Sequence, residues 1–345
     1  MAISMGASAF RDRVLVKELL FETSAAMYFS KMGQISVLED GKQTILLRKK
    51  NLTVQKGHYI KIGFSPFLTD DPIIGDDEAE GNEEDMEAYS QDVYINQARK
   101  PVILKGNMDE KRIAYNMRMQ AKTSIKNYMS RYVEKDAFRK ASGTVAETFA
   151  NTPTTPTSGR HLYGGNATST SDIDSSDKTS LEGISKCKVL AKTEVSGTPI
   201  MPPLDLPNGV KYVMFIHEYQ AHDIKRDPEW NVNQREAQVR GIKNPLFQDA
   251  IGQHDGVLLV PHPFITTYST WGSGGVTPGA RALLFGAHAL LVAEGAPAKW
   301  VEKSKDYDNK WAICSGIIFG IQKTKFNSKD YSILAYDTYA INPNA

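Results

Sequence analysis

The strongest periodic signal along the chain lies between Asn107 and Lys140. No Pro or Gly interrupts this stretch. Ile113, Met117, Ala121, Ile125, Tyr128 and Tyr132 recur at three- and four-residue steps, a spacing that gathers side chains on one helical face. Asn107 or Asp109 can cap its start, and Gly143 follows its end. At ~1.5 Å per residue, roughly 30 residues reach about 45 Å, so the pattern predicts a strut.

Upstream, Val14, Leu15, Leu19, Phe21 and Met27 alternate with charges over 10–32 and predict an amphipathic arm with helix. Gln43 to Arg48 reads as a strand. Asp92 to Ile95 with Pro101 to Leu104 reads as its extended return. Between them lie about 40 residues with little core-forming pattern, too long for a hairpin loop, which predicts a projecting element.

Downstream, 143–180 is rich in Ser, Thr, Gly, Pro and Asp, and reads as a loop or insertion that builds no core alone. Leu181, Ile184, Cys187 and Ala191 predict a short helix, ended by Gly197 and Pro199. Tyr212 to Ile216 is a buried-strand run, followed by a polar helix from Glu218. Val257 to Val260, Ala282 to Phe285 and Ala289 to Val292 add extended or buried pieces. Ala312 to Ile321 and Tyr331 to Tyr336 predict two C-terminal strands joined by a hairpin around Asn327-Ser328. The sum is α+β with segregated pieces and no repeating βαβ order.

Charge changes the picture only locally. The chain carries 41 Lys+Arg against 40 Asp+Glu, so bulk charge names no polyanionic partner. No secretory signal or run of about 20 apolar residues is present, which predicts a chain made in a soluble compartment without a membrane partner. Cys187 and Cys314 match no metal or disulfide spacing, and read as reduced thiols. Within the projection, however, Asp76, Asp77, Glu78, Glu80, Glu83, Glu84, Asp85 and Glu87 form an acidic run without one basic residue. A solvated loop is one reading of it; a docking surface for a basic partner is the other. Arg48, Lys49 and Lys50 on the projection, with Arg118, Lys122 and Lys126 on the strut, are the basic counterparts that complete the set of inter-subunit contact candidates.

Catalytic chemistry is hard to build from this sequence. His217-Glu218-Tyr219-Gln220-Ala221-His222 is similar to the zinc-protease helix, but its histidines are five residues apart instead of four and diverge by roughly 140° on a helix. His254, His262 and His288 fall at no ligand interval. Gly272-Ser273-Gly274-Gly275 lacks a following Gly-Lys-Ser/Thr, and no serine sits in a nucleophile elbow. The expectation is a non-enzyme with no catalytic residue, cofactor or metal.

Three collinear stretches carry a resemblance. They are Ile74 to Glu84 continuing through Val93-Tyr94-Ile95-Asn96-Gln97-Ala98-Arg99; Tyr212 to His217 with Asp223 to Asp227 and Trp230; and Asn244-Pro245-Leu246-Phe247 with Gly252, Gly256 to Leu259 and Arg281 to Ala289. In this order the chain resembles the major capsid proteins of tailed bacteriophages with the HK97-type fold, most closely the N4-type branch. The resemblance implies an N-terminal arm (1–40), an extended loop (41–105) and a peripheral domain (106–204) holding a spine helix (107–140) and the polar insertion (143–180). An axial domain (205–300) and return strands of the peripheral domain (301–345) complete it.

It further implies self-assembly through hexamers and pentamers into an icosahedral virion shell, built in the host cytoplasm around double-stranded DNA that is held without sequence specificity. A portal protein and separate scaffolding or decoration proteins are implied partners. Two other readings are an encapsulin-type nanocompartment shell and a soluble zinc hydrolase using His217, Glu218 and His222.

Overall fold

The computed structural model describes residues 29, 34–37, 42–49, 57–64, 72–75, 80, 89–112, 117–143, 149–195, 197–206, 211–230, 232 and 251–344. Strands β1 (Ile35–Val37), β2 (Leu46–Lys49), β3 (Tyr59–Phe64), β4 (Tyr89–Tyr94) and β5 (Asn96–Ile103) lead to helices α1 (Asn107–Arg112) and α2 (Met117–Ser142). A 3-10 turn at Ser158–Arg160, β6 (His161–Tyr163), α3 (Leu181–Lys192), β7 (Tyr212–Ile216) and α4 (Glu218–Arg226) follow. Then come β8 (Gly252–His254), β9 (Val257–Pro261), β10 (Thr267–Trp271), β11 (Thr277–Phe285), β12 (Leu290–Lys305), β13 (Lys310–Lys323), β14 (Lys325–Phe326), β15 (Lys329–Asp330) and β16 (Ile333–Tyr339).

Two sheets organise these elements. One has seven strands in the order β6-β16-β11-β7-β9-β8, with β10 on β11; the other runs β1-β2-β12-β13-β5. Strand β7 shows why its sequence is apolar without alternation: Val213 and Phe215 join one core, while Tyr212, Met214 and Ile216 join another. Both faces of that sheet are covered, so every residue of the strand is buried. One face meets α3 and α4 through Ile184, Cys187, Ala191 and Ile224. The other meets the C-terminal half of α2 through Val133, Ala137, Phe138 and Ala141.

The strut therefore joins the sheets. Its N-terminal half packs Ala121, Ile125 and Met129 on Ala298, Trp300 and Ile313 of the five-stranded sheet. The buried residues step by four from Ala121 to Ala141, and a step of four on a 3.6-residue helix turns the contact line by about 40° each time. Over the helix that drift carries the apolar stripe from one sheet to the other. The sequence-derived face places Tyr128 inside the stripe, but Tyr128 is 46% exposed because Met129 holds the packed position. The helix expected over 107–140 is described as α1 and α2, with 113–116 outside the described residues.

Other expectations are corrected by strand pairing. Strand β16 pairs with β11 in the seven-stranded sheet, and β13 with β12 and β5 in the other. The C-terminal strands β13 and β16 are therefore not a hairpin; Asn327 and Ser328, both at positive φ, turn only β14 into β15. Strand β2 pairs with β1 and β12, not with the 92–95 segment. The partner of that segment is β3, which the sequence pattern did not reveal. Of the N-terminal arm, Phe29 is described and lies fully buried against Phe138 and Phe215; residues 10–28 lie outside the described residues.

Candidate assembly surfaces

The β3–β4 hairpin is seated by an apolar root and clamped by amides. Ile60, Ile62 and Val93 pack on Leu47, Leu291 and Ala293 of the five-stranded sheet. Asn151 accepts from Tyr94 N and donates to Tyr94 O, both at 3.0 Å, and Gln91 donates to Lys323 O at 2.8 Å while accepting from Lys325 N. A side chain at Gly320 would collide with Tyr94 O, so a glycine permits this close approach.

Beyond the hairpin, Ile74 is 78% exposed, beside Gly75 at φ +75. Glu80 of the acidic run is exposed. Asp76, Asp77, Glu78, Glu83, Glu84, Asp85, Glu87 and the candidate Lys50 lie outside the described residues.

Of the basic candidates, Arg48, Arg118, Lys122 and Lys126 are engaged within the chain. Arg48 Nε meets Glu294 at 2.9 Å. Arg118 forms an ion pair with Glu302 and lies 5.3 Å from the Trp311 ring centre. Lys49, Lys122 and Lys126 are half-buried, Lys122 and Lys126 along α2. The structure does not gather these residues into one patch.

Three buried polar clusters hold the insertion and the strut in place. Arg281 donates to both oxygens of Asp337 at 2.6 Å and to Ser142 O at 2.7 Å, the last residue of α2. His161 reaches Asp337 at 2.7 Å, and Tyr163 reaches His161. Burial alone would raise the Asp337 carboxyl, but hydrogen bonds from Arg281 and His161 outweigh it and hold the group below the usual carboxylate range. Lys323 bonds Asp330 at 2.8 Å and Thr154 O at 3.1 Å; burial lowers its pKa.

Lys140 donates to Phe149 O and Asn151 O, with Asp136 at 4.0 Å. Burial pushes Asp136 up to about 6, against the pull of Lys140 and Arg139. The polar insertion is thus a pinned segment over its described part, 149–180. Sequence reasoning missed these clusters, and a charge inside an apolar run, as at Arg281 and Asp337, is the signal that could have found them.

The proposed zinc residues have other work. His217 is the N-cap of α4: its Nδ1 accepts from Tyr219 N at 3.2 Å, and Gln220 bonds back to His217 N. His222 lies on the helix beside Asp223. Among the described residues no group of three or more His, Cys, Asp or Glu could hold a metal ion. Cys187 is a buried thiol whose pKa burial raises, and Cys314 is half-buried.

Comparison with known proteins gives a consistent picture. A family model described as phage capsid protein matches residues 19–342. The major capsid protein of Pseudomonas phage KPP25 is 28% identical over 319 residues, covering 81% of this chain and 83% of that one. Among solved structures, the capsid of Ralstonia phage GP4 matches with a TM-score of 0.83 and 30% identity over 92% of each chain. The capsid of cyanophage Pam1 matches with a TM-score of 0.75 at 19% identity, over 91% of this chain and 93% of that one.

Proposed function

The chain belongs to the phage capsid protein family, and from that membership we propose that its copies close into an icosahedral shell of hexamers and pentamers around a double-stranded DNA genome. It is a major capsid protein with the HK97-like fold, a structural component of the virion. The observation that carries the reading is the match to the capsid of Ralstonia phage GP4 along 92% of both chains.

Assembly takes place in the host cytoplasm, around a portal protein and with separate scaffolding and decoration partners. The genome is held without sequence specificity, in keeping with a near-neutral chain. The acidic run from Asp76 to Glu87 contacts basic side chains of a neighbouring copy. Such pairs contribute about 0 to 1 kcal/mol each when exposed, so they set register more than strength.

Expression of the full chain with its phage's scaffolding protein, followed by sedimentation and electron microscopy, tests the proposal. Closed particles with fivefold vertices are expected. A chain that stays monomeric would overturn it, and particles that retain cargo enzymes in place of DNA would point to a nanocompartment.

A further inference from the structure

Strands β7 and β9 lie parallel and in register, Ile216 beside Pro261, and each runs into a histidine followed two residues later by an aromatic. In His217-Glu218-Tyr219 the imidazole Nδ1 accepts from Tyr219 N at 3.2 Å, and in His262-Pro263-Phe264 Nδ1 accepts from Phe264 N at the same distance. Each ring also meets its aromatic partner edge to face, with centres 4.4 and 5.3 Å apart. His262 N donates to Ile216 O at 2.9 Å, so the two turns are joined to each other. An imidazole nitrogen accepts only while it carries no proton, so both turns require the neutral ring with its hydrogen on Nε2.

Each turn fastens a helix to the sheet. Gln220 Oε1 accepts from His217 N while its Nε2 donates to Ala280 O and Thr338 Oγ1, which links the start of α4 to β11 and β16. His262 stacks on Phe138 of α2 with ring centres 4.4 Å apart. Neither histidine belongs to a metal-holding group among the described residues.

We propose that His217 and His262 form an acid-sensitive latch, closed while both imidazoles are neutral, whose protonation frees the start of α4 and the turn after β9. A proton on Nδ1 sets one N–H against another at each turn, and at His217 it also places positive charge at the positive end of a helix. Burial lowers the His217 pKa against the pull of Glu218, the direction required where the folded state disfavours the charged ring. Around His262 the charged groups are Glu134 of α2, 3.7 Å from Nε2, and Arg131 of α2, which lies 5.8 Å from the Phe264 ring centre. Arg281 of β11 is held by Asp337. The open state binds the proton more tightly than the closed one. Protection is therefore complete above the ordinary histidine value of about 6.5 and is lost as pH falls through the lower folded value. The latch is a property of the folded chain and does not depend on the capsid reading.

Amide hydrogen exchange of the unassembled full chain, followed by mass spectrometry from pH 7.5 to pH 4 and corrected for its intrinsic pH dependence, tests the latch. Between the ordinary histidine value and the folded one, exchange in peptides covering 217–222 and 262–266 should quicken about tenfold per pH unit, as a one-proton opening requires. Helix α3 is the internal reference: its N-cap is the hydroxyl of Ser180, which does not titrate in this range, so its exchange should stay flat. His217→Asn supplies an acceptor at every pH and should abolish the acid response of 217–222 while leaving that of 262–266. His262→Asn should do the converse. Should His217→Asn fail to fold, His217→Asp offers the same acceptor down to about pH 4 and should give the same result. Flat exchange of both peptides in the wild type, or an acid response of 217–222 that survives the replacement of His217, would overturn the proposal.

Discussion

Arg281 and Asp337 face each other in register on the adjacent strands β11 and β16, and the guanidinium grips both carboxylate oxygens at 2.6 Å. The same guanidinium reaches the end of the strut through Ser142 O, so one ion pair ties the seven-stranded sheet to α2. Asp337 is fully buried. Removing one partner leaves an uncompensated buried charge, which costs about 3–5 kcal/mol. Arg281→Met or Asp337→Asn should therefore lower stability by that amount in urea titration of the unassembled chain, while the Arg281→Met/Asp337→Leu pair should cost less than either single change.

The same pair sets the acid limit. Because the folded carboxyl of Asp337 titrates below its unfolded value of about 3.9, its stabilisation is complete above that value. It is lost as pH falls through the lower folded value. Unfolding curves from pH 5 down to pH 2 should show this loss, and Asp337→Asn should flatten it.

Asp136 has the opposite sign. Burial raises its pKa to about 6, and neither oxygen has a hydrogen-bond partner. The folded state then holds the proton more tightly than the unfolded chain, so stability should fall as pH rises from about 4 to about 6. That rise corresponds to about 3 kcal/mol. Asp136→Asn should remove that slope in denaturant titrations between pH 4 and 8.

Gly183 illustrates two effects in competition. Alanine gains about 1 kcal/mol over glycine within a helix. At this position its Cβ would stand 2.6 Å from Tyr336 Cζ and closer still to the hydroxyl. Overpacking of that kind costs about 1–3 kcal/mol and wins. Gly183→Ala should lower the melting temperature, and adding Tyr336→Leu should cost less than the sum of the two single changes.

The sequence made the strut, the α3 helix and the strand at Tyr212 to Ile216 legible because each depends on a local repeat. What it hid were relationships across the chain. Phe138 is fully buried among Phe29, Phe215 and Phe285, yet it lies off the three-and-four pattern read from Ile113 to Tyr132. Its burial depends on the second sheet. Strand β12 runs on from Leu290 to Lys305 through polar residues because its neighbour β13 pairs with it at both ends, across register shifts between Glu294 and Lys299, not because its own pattern demands a strand. Of the candidate contacts, the acidic run was legible as composition.

Ionic strength separates the proposed contact of the acidic run, which is electrostatic, from an apolar one by sign. Attraction between exposed charges is screened within about 10 Å at 0.1 M salt and about 3 Å at 1 M. A contact between the acidic run and basic side chains of a neighbouring copy should therefore form more slowly as sodium chloride rises. An interface dominated by exposed apolar residues such as Ile74, Ile103 and Val301 should behave differently. Salts excluded from protein surfaces, such as sulfate, strengthen apolar burial and would speed it. Light-scattering rates of particle formation should fall with sodium chloride in the wild type. In Glu83→Gln/Glu84→Gln the fall should be shallower, because two of the run's eight carboxylates are gone. A rate that rises with salt in both proteins would assign register to the apolar residues instead.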